Sequence, residues 1–408
     1  MNDSLSAPGG FFKNPDFDYE TRIVLGAAAG GIGDVGLVLA TADQVTDGDS
    51  RSWFDAWTGL AGDLAARGEA ALGRGHLRTA SWALLAAAEY YAKALVFVDG
   101  LADDSVLLPT FRRGRACWEK VVDASAGRFA RVQVPYEGTT LPGYLLRPDA
   151  SGASRPTLVF INGSDGSLPG LLGYGAAEAL NRGWNAFLFD GPGQQSMLFE
   201  RNVPFRYDWE AVLTPVIDCL VARPDVDPAA LTGYGISQGG YWITRAVAFE
   251  HRLVAAVADP GVLDVSETWL SRLPPALVKL LDSGQKDAFN GAITAAFADA
   301  SPARRRESDF RSKPYGIADP FDLFTEVRKY QARDVAGQVV TPMLITDPDD
   351  EQFFPGQAKA LYDVLPGEKE ILGFSQAQGA NFHCQPTGRQ LTHTQMLDWL
   401  ADHLPARG

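Results

Sequence analysis

The hydrophobic pattern changes character near residue 127, and the change divides the chain in two. Before it, no stretch alternates apolar and polar residues as a half-buried strand would. A mixed opening over 11–25 leads into the small-residue run Gly26-Ala-Ala-Ala-Gly-Gly-Ile-Gly33. Helical spacing then predicts helices over 35–46, 52–72 and 77–97. Asp49-Ser-Arg-Ser supplies capping residues for the second, and Gly73-Arg-Gly-His76 separates it from the third. The third is alanine-rich and carries Trp82, Tyr90 and Tyr91, which can serve either as core or as the wall of a site. Residues 1–125 therefore read as a helical N-terminal domain.

From 126 to 408 the grammar is different. Residues 128–136 and 140–147 bracket Glu137-Gly138 as an antiparallel hairpin. Short apolar runs follow at 157–161, 185–189, 230–234 and 253–258, separated by helical patterns at 168–182, 209–222 and 241–249. Residues 262–338 interrupt with helical and irregular sequence. The rhythm resumes with a strand at 342–346, a helix at 356–365, a strand at 369–374 and a last helix at 391–404. Apolar strands alternating with amphipathic helices mean a mostly parallel sheet covered on both faces. With an insertion before a late strand, this matches the α/β-hydrolase fold.

Composition narrows the partners. A net charge of −14 on 408 residues argues against nucleic acid or an anionic membrane, since both repel an acidic surface. Cys117, Cys219 and Cys384 are widely spaced, which indicates neither a disulfide framework nor a zinc site, and a reducing interior fits best. The N-terminus lacks a signal peptide's basic start and apolar core, and no apolar run reaches membrane-spanning length. The expectation is a soluble, cytoplasmic protein without metal or cofactor, acting on a small molecule.

The chemistry gathers at Gly235-Ile-Ser237-Gln-Gly239, a G-x-S-x-G pattern between a strand and a helix. In such an elbow the serine takes strained backbone angles, and the flanking glycines let strand and helix approach. Ser237 needs a base. His76 precedes the sheet, His251 ends the elbow helix, and His393 and His403 belong to the final helix; His383 remains, in a loop after the last strand. The acid is expected after the strand at 342–346, where Asp347-Pro-Asp-Asp-Glu351 offers several carboxylates. Asp350 is the choice and Glu351 the alternative. The oxyanion would meet the Gln238 N–H and an N–H from Asn162-Gly-Ser-Asp-Gly166, Ser164 first and Gly163 second. The Asp190-Gly-Pro-Gly-Gln194 turn lacks the Lys-Ser/Thr of a phosphate loop.

These blocks, with Phe189-Asp-Gly-Pro-Gly-Gln194, Asp349-Asp-Glu-Gln-Phe353 and Ala380-Asn-Phe-His-Cys-Gln385, resemble the α/β-hydrolases related to 2,6-dihydroxypseudooxynicotine hydrolase. The fungal hydrolases that shorten polyketide chains in pigment pathways are similar. The resemblance extends into the helical segment (Gly75-His-Leu-Arg-Thr-Ala-Ser81, Ala88-Glu-Tyr-Tyr91). It implies a helical cap over the sheet, a homodimer, and a triad of Ser237, Asp350 and His383 cleaving a carbon–carbon bond beside a ketone. It also implies a carboxylate downstream of the serine, for which 259–267 offers Asp264 and Glu267 without a clear match. Tyr90 and Tyr91 would then line the substrate with parts of 263–330. The triad chemistry alone equally allows an esterase, thioesterase or lactonase, an acyltransferase or cyclase, and the fold also hosts non-catalytic binders.

Overall fold

A computed structural model describes residues 10–406. Five helices open the chain: α1 (Pro15–Ala27), α2 (Val35–Ala42), α3 (Ser50–Gly73), α4 (Leu77–Leu95) and α5 (Leu107–Asp123). Helices α2 to α4 are those the spacing predicts. Helix α1 escapes the pattern because its buried face includes the polar Glu20 and Thr21. Its start is marked all the same: Asn14 precedes Pro15, and its side chain accepts the N–H groups of Asp16 (3.0 Å) and Phe17 (3.2 Å). Helix α5 hides Phe111, Cys117, Trp118, Val121 and Val122 behind a run of arginines.

The alanines of α4 let its neighbours approach. A Cβ on Gly68 of α3 would stand 2.6 Å from Leu84 Cγ, and one on Gly114 of α5 would stand 3.1 Å from Tyr91 Cβ. Tyr90 is fully buried against Trp57, with ring centroids 5.5 Å apart. Both tyrosines thus fill the seams between helices, where an aromatic ring stabilises by the area it removes from water.

Eight strands follow: β1 (Phe129–Tyr136), β2 (Thr139–Leu146), β3 (Arg155–Ile161), β4 (Asn185–Phe189), β5 (Val226–Ile236), β6 (Ala255–Asp259), β7 (Met343–Pro348) and β8 (Lys369–Phe374). Their order is β1-β2-β4-β3-β5-β6-β7-β8; β1, β2 and β4 pair antiparallel and the rest parallel. Strand alternation serves two cores. Leu158 and Phe160 of β3 join Trp57, Trp118 and Tyr234, so the N-terminal helices and one sheet face share a single core. Val159 and Ile161 face the other way, into a second core.

The connecting helices are α6 (Ala176–Asn181), α7 (Gln195–Phe199), α8 (Glu210–Val221) and α9 (Gly239–Ala246). The single helix expected over 168–182 is broken: a 3-10 turn at Pro169–Leu172 ends at Gly173, and Gly175, with φ of +110°, precedes α6. The insertion holds α10 (Glu267–Leu270), α11 (Pro275–Asp282), α12 (Lys286–Ala298), α13 (Pro302–Ser312) and α14 (Pro320–Val327) around a small core of Leu277, Leu281 and Phe289. Helices α15 (Gln357–Val364) and α16 (Arg389–Asp402) complete the chain. Among the described residues, no helix is long and apolar enough to cross a membrane.

One buried histidine makes the fold sensitive to acid. His393 of α16 is buried and its Nε2 has no partner. Burial, and then the Arg389 charge, hold its pKa well below the ordinary 6.5. The unfolded chain therefore binds a proton that the folded chain refuses, and stability falls as pH drops below about 6.5. The melting temperature is expected to fall between pH 7 and pH 5, and His393→Gln to flatten that slope. An unchanged slope in the variant would refute the assignment.

Candidate active site

Strand β5 runs into α9 through Ser237, whose φ of +57° is a left-handed angle that side-chain-bearing residues rarely adopt. The glycines two positions away make the turn possible. A Cβ on Gly235 would stand 2.2 Å from the Gly239 carbonyl oxygen, and one on Gly239 would stand 2.4 Å from that of Ile161. The Ser237 N–H donates to the Asp259 carbonyl at 2.6 Å.

His383 comes from the loop between β8 and α16. Its N–H donates to Gln352 Oε1 (3.1 Å), its carbonyl accepts the Tyr19 hydroxyl (2.9 Å), and the Phe353 ring lies 4.8 Å from the imidazole, centroid to centroid. The imidazole joins two partners. Nδ1 lies 2.8 and 2.9 Å from the Glu351 oxygens, and Nε2 lies 2.8 Å from Ser237 Oγ. An ionised carboxylate only accepts, so Nδ1 carries the proton and Nε2 is free to accept the serine hydroxyl.

The charge on Glu351 is supported locally. Burial raises its pKa, but His383 and the N–H groups of Phe354 and Phe353 outweigh that and hold it below the usual carboxylate range. Those two N–H groups reach Oε1 at 3.0 and 2.8 Å.

The structure brings Glu351, the alternative acid, to the imidazole and not Asp350, the first choice. The Asp350 side chain is exposed and accepts from Asn381 Nδ2 at 2.6 Å, while its N–H donates to the Asn381 carbonyl at 2.8 Å. Asp350 pins the turn after β7 to the histidine loop; the next residue swings inward to meet the imidazole.

A residue that sequence reasoning missed ties these parts together. Asp259, at the end of β6, is fully buried. Its carboxylate accepts from Tyr234 of β5 (2.7 Å), Thr346 of β7 (2.6 Å) and Gln385 of the histidine loop (2.9 Å). Its carbonyl takes the Ser237 N–H and lies 3.1 Å from Cys384 Sγ. The elements bearing Ser237, Glu351 and His383 thus converge on one acid. Its position at a strand's C-terminal end is the one signal the sequence held.

Of the three expected oxyanion donors, the N–H groups of Gln238 and Ser164 have no hydrogen-bond partner among the described residues, whereas the Gly163 N–H donates to Asn162 Oδ1 at 2.9 Å. Gly163 lies against the elbow, since a Cβ there would stand 2.9 Å from Ser237 Cβ.

The expected substrate-lining residues are not brought to this point. Tyr90 and Tyr91 belong to the helical seams. Asp264 accepts from the N–H (2.9 Å) and hydroxyl (2.6 Å) of Ser266, and both Asp264 and Glu267 pair with Arg333. Neither carboxylate bonds to Ser237 or His383. Phe353, Phe354 and Tyr19 are the aromatic rings packed around the imidazole, with centroids at 4.8, 5.8 and 6.4 Å.

No family model matches the chain. The chain is 30% identical over 405 residues to hydrolase LUC6 of a Fusarium species, covering 95% of this chain and 96% of that one. It is also 30% identical over 378 residues to the alpha/beta hydrolase psoB of Aspergillus fumigatus, covering 87% and 84%. Among solved structures, that of 2,6-dihydroxy-pseudo-oxynicotine hydrolase superposes with a TM-score of 0.74 at 19% identity, over 93% of this chain and 95% of that one.

Proposed function

The chain belongs to the α/β-hydrolase family of these fungal hydrolases, and on that premise we propose that it is a serine acyl hydrolase working through Ser237, His383 and Glu351. The observation that carries this reading is the unbroken hydrogen-bonded relay from Glu351 through His383 to Ser237. Ser237 Oγ bonds to a substrate carbonyl carbon as its proton moves to His383 Nε2. The displaced carbonyl electrons form an oxyanion, which the Gln238 and Ser164 N–H groups stabilise. When the oxyanion collapses, the bond to the leaving group breaks, its electron pair departs, and His383 returns the proton to it. Water then repeats the sequence on the acyl-enzyme, releasing a carboxylic acid and restoring Ser237.

The substrate class follows from the resemblance: an aromatic or polyketide-like small molecule cleaved at a carbon–carbon bond beside a ketone. There the leaving carbon must depart as a stabilised enolate. A second reading, hydrolysis of an ester, thioester or lactone, is favoured by the engagement of Asp264 and Glu267 with Arg333, which leaves neither free to assist a carbanion. Product analysis with an aryl β-diketone beside simple aryl esters decides between them. The carbon–carbon reading expects carboxylic acid and ketone from the diketone; rapid ester turnover with intact diketone would leave an esterase. Homodimeric assembly belongs to the same proposal, and light scattering at the single-chain mass would remove it.

A further inference from the structure

The turn after β4, Asp190-Gly-Pro-Gly-Gln194-Gln195, takes no part in the relay, yet its side chains reach the loop after β3. Gln194 is 2% exposed, and its carboxamide is fully employed. Nε2 donates to the carbonyls of Asn162 (2.8 Å) and Gly163 (2.9 Å), while Oε1 accepts the Gly191 N–H (2.8 Å). Gln195 Nε2 adds a third anchor on the Asp165 carbonyl at 2.8 Å.

The planar peptide gives these bonds a directional consequence. In a trans peptide the C=O and N–H point opposite ways. Drawing the Gly163 carbonyl to Gln194 therefore turns the Ser164 N–H, which shares that peptide, to the far side of the loop. That N–H has no partner among the described residues, and Gly163 beside it is pressed against Ser237. The turn carrying Gln194 is itself held firmly. Asp190 accepts the Ser196 hydroxyl at 2.5 Å and pairs with Arg115 of α5, and a Cβ on Gly193 would strike the Phe205 ring.

We propose that Gln194 is the positioning residue of the oxyanion site: by holding two consecutive carbonyls it aims the Ser164 N–H at the oxygen of the tetrahedral intermediate. The inference rests on the serine-hydrolase reading and deepens it. It requires two donors and one acceptor on a single buried side chain. Glutamate lacks the donors, and asparagine is one methylene too short for the same reach.

The test compares Gln194→Glu and Gln194→Met with the parent enzyme on p-nitrophenyl butyrate and on its thiono counterpart. In the thiono ester the carbonyl oxygen is a sulfur, which accepts hydrogen bonds poorly. Gln194→Glu keeps the acceptor for Gly191 but sets a carboxylate oxygen against two carbonyls; Gln194→Met removes every bond. Both are expected to lower kcat on the oxygen ester about 10- to 100-fold with KM nearly unchanged, as for a misplaced oxyanion donor. The oxygen-to-thiono preference in kcat/KM should fall at least about fivefold. A folded variant with normal kcat, a change in KM alone, or a slower enzyme keeping the parent preference would overturn the proposal. So would the failure of both variants to fold, since Gln194 would then belong to the fold and not to the site. An active Ser237→Ala protein would instead sink the underlying serine-hydrolase reading. An inactive one beside normal Gln194 variants sinks this inference alone.

Discussion

Replacing Ser237 by alanine is expected to lower kcat by about 10⁴- to 10⁶-fold while leaving the fold intact. The elbow geometry resides in the backbone: the φ of +57°, the N–H donated to Asp259 and the two close-packed glycines survive the change. What disappears is the oxygen 2.8 Å from His383 Nε2. That leaves one ring nitrogen without its partner, a loss of about 1 kcal/mol, too little to unfold a chain of this size. A fluorophosphonate should label the parent protein at Ser237 and leave the variant unlabelled. Turnover above a tenth of the parent rate would mean that this serine is not the nucleophile.

The second large effect separates two neighbouring carboxylates. Glu351→Gln is expected to reduce kcat about 10³- to 10⁴-fold, because an amide can present its NH₂ to Nδ1 and stabilise the wrong imidazole tautomer. Nε2 would then carry the proton and could not accept one from Ser237. Asp350→Asn should stay within a few-fold of the parent, since the new carboxamide oxygen still accepts from Asn381, and the N–H bond to the Asn381 carbonyl is untouched. If Asp350→Asn were the more damaging change in a steady-state assay, the relay would be misassigned.

Sequence pattern sufficed where a single force dominates. The buried strands β3, β4, β6 and β7 are short apolar runs, and the glycines around Ser237 mark a place where helix and strand backbones nearly touch. Elimination among five histidines led to His383 because only one of them lies in a loop beyond the last strand. It was insufficient where side chains of one type compete. Asp349, Asp350 and Glu351 are chemically alike, and which of them turns inward depends on how the chain leaves β7, a matter of backbone direction with no compositional trace. The aromatics of α4 posed the reverse problem: hydrophobicity reads the same in a seam between helices as in a pocket wall. Helix α1, which brings Tyr19 to the histidine loop, was obscured because its buried face carries a glutamate paired with Lys93 at 2.9 Å.

The convergence on Asp259 has a mechanical meaning. Ser237, His383 and Glu351 arrive on segments far apart in sequence. Here a common anchor joins the elements that carry all three, so a small shift of β6 is expected to move them together. Loss of the Asp259 carboxylate is therefore expected to misalign all three parts together instead of one by one.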